Sequence, residues 1–396
     1  MPANTFSIGV ILRDFRLGGS ERVAIGLANQ WHALGFAVTV FVGRAVGDMQ
    51  GLLHPAIPIQ TADLSPHIPD RALGAKTARA AGRYFYAHPV KACYVPGNGH
   101  WPVTRRLSLL PFPIRPILVT QVSSPIFKKG RTALGQWLYN MRMRFLLRHS
   151  DHVVTISRTL AQQTQSVLKR GDIAVIPLPV VWEPSPPKPI PTGTQHILAA
   201  GRLVPVKGFD LLIRAIALVR QHVPNIHLTL CGTGPEQAKL QALIHDLGLH
   251  AQVTLVGYVP CIRPWLDQCR AFVLSSHAES YAAVLVEALA AGRQVISTDC
   301  TPAVEELLHT PQAGAITPVG NVQAMAEAIV RVLGTAPPCG ASLASLVQPF
   351  HLSHGAMQYL SLMARYRHDP MPETADTADK KRGSQTVAPS CNPQAQ

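Results

Sequence analysis

Acidic residues are scarce in this sequence, with 22 aspartates and glutamates against 36 lysines and arginines and a formal net charge of +14. The shortage lies in the first half: residues 1–182 contain 21 basic and 7 acidic residues, whereas residues 183–396 contain 15 of each. A basic surface attracts anionic partners, which include nucleic acid, phospholipid headgroups and anionic substrates. Charge alone does not distinguish among them.

Long hydrophobic runs and cysteine pairs are also missing. No apolar run approaches the roughly 18 residues of a membrane-spanning helix. The short run at 6–12 lacks the flanking basic residues and cleavage site of a signal peptide, so we expect it to be a strand and the protein to be cytoplasmic. The absence of a C-x-x-C pair argues against a zinc knuckle or redox centre and predicts buried or inert thiols. The cysteines are Cys93, Cys231, Cys261, Cys269, Cys300, Cys339 and Cys391.

The length and the element pattern predict two α/β domains. At 396 residues and 47% hydrophobic content, the chain is too long for one ordinary core. Short β-rich runs alternate with helical patterns, which is typical of parallel sheets with right-handed crossovers. The predicted strands are 7–12, 37–42, 92–95, 117–121, 152–156 and 173–176 in the first half, and 195–199, 227–231, 253–256, 271–274 and 295–297 in the second.

Five prolines between positions 184 and 191 mark the boundary between these domains. We predict one doubly wound domain on each side of this boundary. A helical segment is expected to return to the first domain, and a tail without aromatic residues is expected to be disordered. The ranges are 1–182 for the first domain, 183–194 for the linker, 195–345 for the second domain, 346–368 for the helical segment and 369–396 for the tail.

Glycine-rich turns follow three of the predicted strands. "LGGSER" places Gly18 and Gly19 before a helix, "AAGRLVPVKGF" supplies Arg202 and Lys207, and "LCGTGPE" contains Gly232. Glycine permits close backbone approach, a helix start attracts anions, and the two cations can hold a phosphate. Taken alone, each motif is better explained by a tight turn or a solvated surface.

Two glutamates lie eight positions apart in "HAESYAAVLVEALAAG", which is otherwise uncharged. A helix that begins near Ala283 would offer its first amides to a diphosphate, with Glu279 before it and Glu287 one turn inside. Carboxylates on both sides of a phosphate site suit a ligand with hydroxyls at both ends of a diphosphate, such as a nucleotide sugar. The alternative is a capping acid and a helix-surface acid, which the apolar neighbours disfavour.

In this order, the motifs resemble those of the retaining glycosyltransferases of family 4. The resemblance covers about residues 6–368 and rests on GG-x-ER, GRL-x-x-x-KG, G-x-G-PE, the S-x-x-E-S-Y segment and the spacing of the two glutamates. It implies the GT-B fold, in which two facing Rossmann-like, doubly wound parallel-sheet domains enclose a cleft. It also implies transfer of a sugar from a nucleotide-sugar donor, with UDP favoured over GDP, to a glycan or glycolipid acceptor.

The resemblance further implies a role for each matched residue. Arg202 and Lys207 would hold the donor diphosphate, Glu287 the ribose and Glu279 the sugar. No metal or cofactor is implied, because the cations and the helix dipole supply the charge. Backbone at Ala283 and Val284 would cap the phosphates, Tyr258 and Val259 would lie near the base, Gly232 would line the donor site, and Gly18 and Gly19 would approach from the other domain.

The sequence departs from the family at two places. Many relatives have Glu-Gly-Phe-Gly where this chain has Glu-Ser-Tyr-Ala at 279–282, which restricts backbone approach near the sugar. Many also have a histidine where "VTQVSSP" places Ser123. "VPGNGHW" offers Asn98 and His100 as further acceptor-side candidates, and His100 is equally well explained as an ordinary loop residue.

The segment "KKGRTALGQWLYNMRMRFLLRH" contains an apolar helical stripe flanked by basic residues. The stripe comprises Leu134, Leu138, Met141 and Phe145, and the chain before it carries Lys128, Lys129 and Arg131. One alternative is a helix packed in the core with extended arginines. The other, which the basic first half favours, is contact with an anionic membrane on the inner face of the plasma membrane.

Two further classes remain open at this stage. A sugar-nucleotide epimerase or a phosphorylase could share the fold, although no lysine context for pyridoxal phosphate is evident. A non-catalytic nucleic-acid-binding protein would suit the charge, but no RNP-like motif, zinc-finger spacing or recognition helix supports it. We therefore expect no nucleic-acid partner.

Overall fold

The computed structural model describes residues 6–16, 18–127, 130–182 and 185–364. Within them, the first domain contains a seven-stranded parallel sheet flanked by helices. Its strands are β1 (Ser7–Leu12), β2 (Ala37–Val42), β3 (Ile59–Thr61), β4 (Ala92–Val95), β5 (Ile117–Val122), β6 (His152–Thr155) and β7 (Ile173–Val175). Its helices are α1 (Gly19–Ala33), α2 (Asp70–Ala87), α3 (Trp101–Leu107), α4 (Ala133–Leu147) and α5 (Arg158–Leu168).

The second domain contains a six-stranded parallel sheet. Its strands are β8 (His196–Ala200), β9 (His227–Cys231), β10 (Val253–Gly257), β11 (Ala271–Leu274), β12 (Gln294–Thr298) and β13 (Gly314–Thr317). The helices that follow in the chain are α6 (Phe209–Val219), α7 (Gln237–Asp246), α8 (Arg263–Leu266), α9 (Ala283–Ala290), α10 (Pro302–Leu307), α11 (Val322–Gly334), α12 (Gly340–Ser345) and α13 (Leu352–Ala364).

Both sheets reverse their winding direction at one point. The orders are β3-β2-β1-β4-β5-β6-β7 and β10-β9-β8-β11-β12-β13, so the switch points lie between β1 and β4 and between β8 and β11. Strands β5 and β11 are buried along their whole length, because helices cover both faces of each sheet. Ligands of open parallel sheets bind beyond the carboxyl ends of the strands at such switch points. The predicted doubly wound α/β architecture is confirmed.

The last helix, α13, packs against the first domain. The indole of Trp31 donates to the carbonyl of Ala356 at 3.1 Å, and the ring of Tyr359 lies 5.0 Å from that of Tyr94. The chain before α13 runs beside the end of the first domain, where the amide of Leu352 donates to the carbonyl of Val181 at 2.8 Å. Two chain segments therefore cross between the domains side by side.

The described part of the proline-rich stretch lies on the second domain. The buried guanidinium of Arg293 donates to the carbonyl of Lys188 at 2.9 Å, and Arg263 donates to that of Pro186 at 2.7 Å. These contacts fix the stretch to one domain. Glu183 and Pro184 of the predicted linker, and the whole predicted tail at 369–396, lie outside the described residues.

Helix α4 does not bury its apolar stripe. Leu134, Leu138, Met141 and Phe145 are between 44% and 67% exposed, whereas the helix packs through Met143, Leu146 and Leu147. The core-packing alternative is therefore wrong for the stripe. None of the helices in the described ranges is long and apolar enough to cross a bilayer.

The thiols divide into two groups. Cys93, Cys231 and Cys269 are buried, and Cys300 is partly buried. Cys261 and Cys339 are exposed, which corrects the expectation of burial for these two. All six are free, and amide donors at the start of α12 lower the pKa of Cys339. Cys391 lies outside the described residues.

Candidate functional site

The loop after β8 carries Arg202 and Lys207 to the carboxyl edge of the second sheet. Gly208 adopts a left-handed conformation, and a Cβ on it would lie 2.3 Å from the carbonyl oxygen of Ser275. Only glycine allows this close approach to the end of β11. The hydroxyl of Ser275 then donates to the carbonyl of Lys207 at 2.9 Å. The lysine is therefore fixed at the switch point between β8 and β11.

Lys207 and Glu279 form an ion pair at this edge. The ammonium Nζ donates to Oε1 of Glu279 at 2.5 Å, with 19% and 14% of the two side chains exposed. The hydroxyl of Ser276 donates to the same carboxylate oxygen at 2.7 Å, and Thr298 donates to the carbonyl of Ser276 at 2.5 Å. Because an ammonium has three donors, Lys207 keeps two for a ligand while the pair fixes its position.

Arg202 is exposed on the same loop. No side chain or carbonyl within the described ranges forms a hydrogen bond or ion pair with its guanidinium. The stem of Lys207 passes within 3.4 Å of the Cβ position of the neighbouring Gly201. The same loop thus carries Lys207, which is held in place by Glu279, and Arg202, which is not engaged. The planar guanidinium of Arg202 is suited to bidentate contact with phosphate.

Helix α9 begins beside this loop with an unusual cap. Ala282, at φ 65° and ψ 48°, occupies the left-handed region that glycine favours. The first amides of the helix, at Ala283 and Val284, have no acceptors within the helix and carry a partial positive charge. The sequence expectation of a helix start near Ala283 is confirmed, and its geometry suits an anion.

Glu287 lies one turn inside α9 and is partly buried. Burial raises the pKa of its carboxyl, and the Arg22 guanidinium on α1 of the first domain opposes this rise. No hydrogen-bond donor or ion-pair partner contacts the carboxylate within the described ranges. Arg22 itself lies 5.6 Å over the ring of Trp182. Glu287 is therefore an acceptor without donors, facing the other domain.

The loops after β9 and β10 complete the wall beside Arg202. Gly232 approaches so closely that a Cβ on it would lie 1.8 Å from the carbonyl oxygen of Gly201. Its amide donates to the carbonyl of Gly257 at 2.7 Å, which brings the exposed ring of Tyr258 and the partly buried Val259 to this wall. The predicted donor-side residues of the second domain thus all lie at the carboxyl ends of β8 to β11.

The first domain presents a smaller polar cluster at its own switch point. The side-chain oxygen of Asn98 accepts from the amide of Ser123 at 3.1 Å, and its nitrogen donates to the hydroxyl of Tyr139 at 2.9 Å. Ser20 lies 3.5 Å from Ser123. The ends of β1, β4 and β5 therefore bring Asn98 and Ser123 together as polar candidates.

His100 lies beneath this cluster and not on its surface. Only 3% of the residue is exposed, and burial lowers the pKa of its ring to about 3. The imidazole is neutral at pH 7, so its 3.8 Å contact with Glu21 is not an ion pair. An acceptor cannot touch His100 in this conformation, which corrects its assignment as an acceptor-side residue.

Gly18 and Gly19 lie at the start of α1. A Cβ on Gly18 would lie 2.4 Å from a carboxylate oxygen of Glu21, which is the end of a flexible side chain, and a Cβ on Gly19 would meet nothing within 4 Å. The φ of Gly18 is −161°, an extended conformation that any residue adopts, so the fold alone does not require glycine at either position.

Comparison with known proteins identifies the family. A model described as "Glycosyl transferases group 1" matches residues 194–335, and one described as "Glycosyl transferase 4-like domain" matches residues 18–179. Together they cover more than half of the chain. The chain belongs to the group 1 glycosyltransferases.

Individual relatives match over part of their length. A lipopolysaccharide core biosynthesis glycosyltransferase, LpsE of Rhizobium meliloti, is 31% identical over 36% of this chain and 41% of its own. An exopolysaccharide phosphotransferase of Streptomyces coelicolor is 32% identical over 46% of this chain and 20% of its own. The match thus spans less than half the length of either relative.

The solved structure of Anabaena HepE in complex with UDP has a TM-score of 0.69 at 19% identity, with 91% of this chain and 100% of that chain covered. This similarity confirms the GT-B fold of the group 1 family.

Sequence reasoning missed three contacts of the site. Ser276 donates to Glu279, Ser20 approaches Ser123, and the charge of Arg22 acts on Glu287. The position of Ser276, two residues after the end of the buried strand β11, was an available signal. The effect of Arg22 on Glu287 depends on how the two domains face each other, and no local pattern records that.

Proposed function

We propose that the protein is a retaining glycosyltransferase that moves a sugar from a nucleoside-diphosphate donor to a lipid-linked or cell-surface glycan, such as a polysaccharide or lipopolysaccharide. The observation that carries the proposal is the Lys207–Glu279 pair beside the uncommitted Arg202 and the start of α9. Cations, helix amides and a carboxylate here adjoin one another at a switch point, as a sugar diphosphate requires.

The donor binds across the second domain. Arg202 and two donors of Lys207 contact the diphosphate, and the amides of Ala283 and Val284 cap it. Glu287 accepts hydrogen bonds from the ribose hydroxyls. These hydroxyls are the donors that its carboxylate lacks among the described residues. Tyr258 and Val259 lie against the base. UDP is favoured because HepE was solved with UDP, and GDP is the alternative. No divalent metal is required, because these groups neutralise the diphosphate.

Transfer takes place on one face of the sugar. The acceptor oxygen forms a bond to the anomeric carbon as the bond from that carbon to the diphosphate oxygen breaks. The departing phosphate oxygen takes the proton of the acceptor hydroxyl. Arg202 and Lys207 stabilise the charge that develops on the diphosphate, which is the largest contribution such a site can make. The second carboxylate oxygen of Glu279 accepts from a sugar hydroxyl.

The acceptor approaches from the first domain. Asn98 and Ser123 supply polar contacts, and Gly19 leaves room for the donor sugar because the fold places nothing above it. The excess of basic residues in this domain and the similarity to LpsE favour an anionic glycolipid at the inner face of the plasma membrane.

A panel of nucleotide sugars tests the proposal. The purified protein is incubated with each UDP- and GDP-sugar, and release of the nucleoside diphosphate is measured with and without undecaprenyl-linked and lipopolysaccharide-core acceptors. We expect one donor to be turned over, equally with and without a metal chelator, to a product with the anomeric configuration of the donor. Inversion would contradict the mechanism, and no binding or turnover of any donor would contradict the function.

A further inference from the structure

A cavity of about 1050 Å³ opens at the edge of the first sheet that lies away from the glycine-rich loops. It is lined by residues that precede three strands: Arg115 before β5, Asp151 before β6 and Asp172 before β7. These are the amino ends of the strands, whereas the donor and acceptor groups lie at the carboxyl ends. The proposed reaction therefore does not use this cavity.

The lining of the cavity carries a surplus of positive charge. Five cationic side chains line it against two carboxylates, and both carboxylates are already paired. Asp151 accepts from Arg115 at 2.9 Å and from the amide of Leu118 at 2.8 Å, and Asp172 pairs with Arg170. The remaining cationic side chains are Arg144, Arg148 and Lys169.

Two of these cations are uncommitted. Arg144 donates to the carbonyl of Val167 at 2.6 Å, which fixes it. Arg148 and Lys169 are exposed, and no described residue pairs with either side chain. Lys169 caps α5 in a left-handed conformation with φ of 57°, so its backbone position is defined. Partial desolvation, together with the neighbouring Arg148, lowers the pKa of His149.

The exposed stripe of α4 leads directly into this cavity. Met141 and Phe145 belong to both, and Leu134, Trp137 and Leu138 continue the stripe along the helix. Fifteen residues of helix span about 22 Å. Because α4 follows β5, it runs from the carboxyl edge of the sheet, where the acceptor cluster lies, to the amino edge, where the cavity lies.

The basic residues that precede α4 contribute less than the sequence suggested. Arg131 donates to the carbonyl of Ile126 at 2.8 Å and to Gln136 at 3.0 Å, and it lies 4.2 Å over the ring of Tyr139. It is thus part of the local structure. Lys128 and Lys129 lie outside the described residues. Within the described residues, Arg148 and Lys169 thus place uncommitted charge at the cavity end of α4, and the exposed Arg142 adds a further guanidinium along the helix.

We propose that the cavity binds the phosphate of an anionic phospholipid headgroup while the stripe of α4 enters the adjoining acyl layer. A bilayer surface offers phosphate and hydrocarbon a few ångströms apart, which matches the cation-lined cavity and the five large apolar side chains beside it. Bound in this way, α4 lies along the membrane with its first turn near the acceptor cluster. This inference rests on the membrane-side acceptor of the proposed function and assigns the contact to named residues.

Vesicle sedimentation with the full-length protein tests the assignment. The vesicles are phosphatidylcholine alone or phosphatidylcholine with phosphatidylglycerol. The variant Arg148→Ser/Lys169→Ser is compared with Lys76→Ser/Arg79→Ser, which removes the same charge from the exposed face of α2. We expect the cavity variant to lower the partition onto anionic vesicles about thirtyfold, since each basic residue near such a surface contributes about a factor of five. The α2 variant should change it less than threefold.

Two further experiments distinguish a lipid headgroup site from a site for free phosphate. Trp137→Ser should weaken binding to anionic vesicles while leaving UDP affinity unchanged. Inorganic phosphate, titrated calorimetrically without vesicles, should bind only weakly. Equal losses in the two double variants, or tight phosphate binding by a protein that ignores vesicles, would overturn the headgroup site. A protein that binds UDP but no vesicle refutes this site alone, whereas one that binds vesicles but no nucleotide refutes the donor site alone.

Discussion

At the scale of one residue, the carboxylate of Glu287 destabilises the folded protein when no ligand is bound. Its carboxylate is partly buried and lacks a donor within the described ranges, and burial raises its pKa above the ordinary value of 4.5. Keeping an acceptor in this state is costly unless something donates to it. Ribose hydroxyls would supply these donors, so the cost is recovered only on binding.

The first prediction is that Glu287→Gln separates stability from binding. The free energy of unfolding at pH 7 should rise by about 1 kcal/mol, because a buried charge is removed, while UDP affinity falls about tenfold. Chemical denaturation and titration calorimetry measure the two effects. A loss of stability in this variant would contradict the account.

The pH dependence of the wild type provides an internal control. Buried His100, whose pKa is lowered, adds stability as pH rises between about 3 and its ordinary value of 6.5. Glu287 acts in the opposite direction: because its folded-state pKa is raised, its contribution to stability should fall as pH rises from 4.5 through that pKa. The pKa of Glu21 is also raised by burial, so Glu21 contributes in the same direction as Glu287. The amide of Glu287→Gln does not titrate, so the stability of this variant relative to wild type should increase as pH rises through this range.

Ala282 is a second residue under constraint, since an alanine at φ of 65° costs about 1 kcal/mol relative to its preferred conformations. We predict that Ala282→Gly raises the unfolding midpoint or leaves it unchanged, because relief of strain exceeds or offsets the added freedom of the unfolded chain. Ala282→Val should lower the midpoint clearly. If both variants unfold earlier than wild type by the same amount, the strain is not significant.

At the scale of elements, the sequence predicted the central strands and two of the four edge strands, β7 and β10. Strands β1, β2, β4, β9 and β11 match their predicted bounds because each is an apolar run covered on both faces. Strands β3 and β13 were not predicted: each is short, partly exposed and at the edge of its sheet. Helix α4 was predicted as a helix, but periodicity alone could not tell that its stripe faces outward.

A pair of glycines tests the packing of the last helices. A Cβ on Gly355 in α13 would lie 2.6 Å from Pro179, whereas one on Gly334 at the end of α11 would meet nothing within 4 Å. We predict that Gly355→Ala lowers the free energy of unfolding by about 1–3 kcal/mol through overpacking. Gly334→Ala should leave it unchanged or raise it by up to about 1 kcal/mol. Denaturant melts of both variants provide the comparison, and equal effects would show that α13 is not held tightly.

At the scale of the whole molecule, the second domain carries the proposed donor-binding groups, and the first carries the excess of basic charge and the exposed helix. The order of motifs along the chain predicted that the candidate residues lie together at the carboxyl ends of the strands, because parallel strands place their carboxyl ends at one edge. It could not predict that Arg22 faces Glu287 or that His100 is buried. Both depend on distant segments: the facing domain in one case, and the packing around α3 in the other.

The most direct test of the central claim is the affinity of UDP and GDP for Arg202→Ala, measured by titration calorimetry. Arg202 is exposed and unpaired within the described ranges, so its removal leaves the fold intact, and Arg214→Ala on the exposed side of α6 serves as the matched control. We predict that Arg202→Ala binds the preferred nucleotide about 10- to 100-fold more weakly, since a charge-assisted bond to phosphate is lost. Arg214→Ala should bind like wild type. Unchanged affinity in Arg202→Ala would contradict the assignment of this loop to the diphosphate.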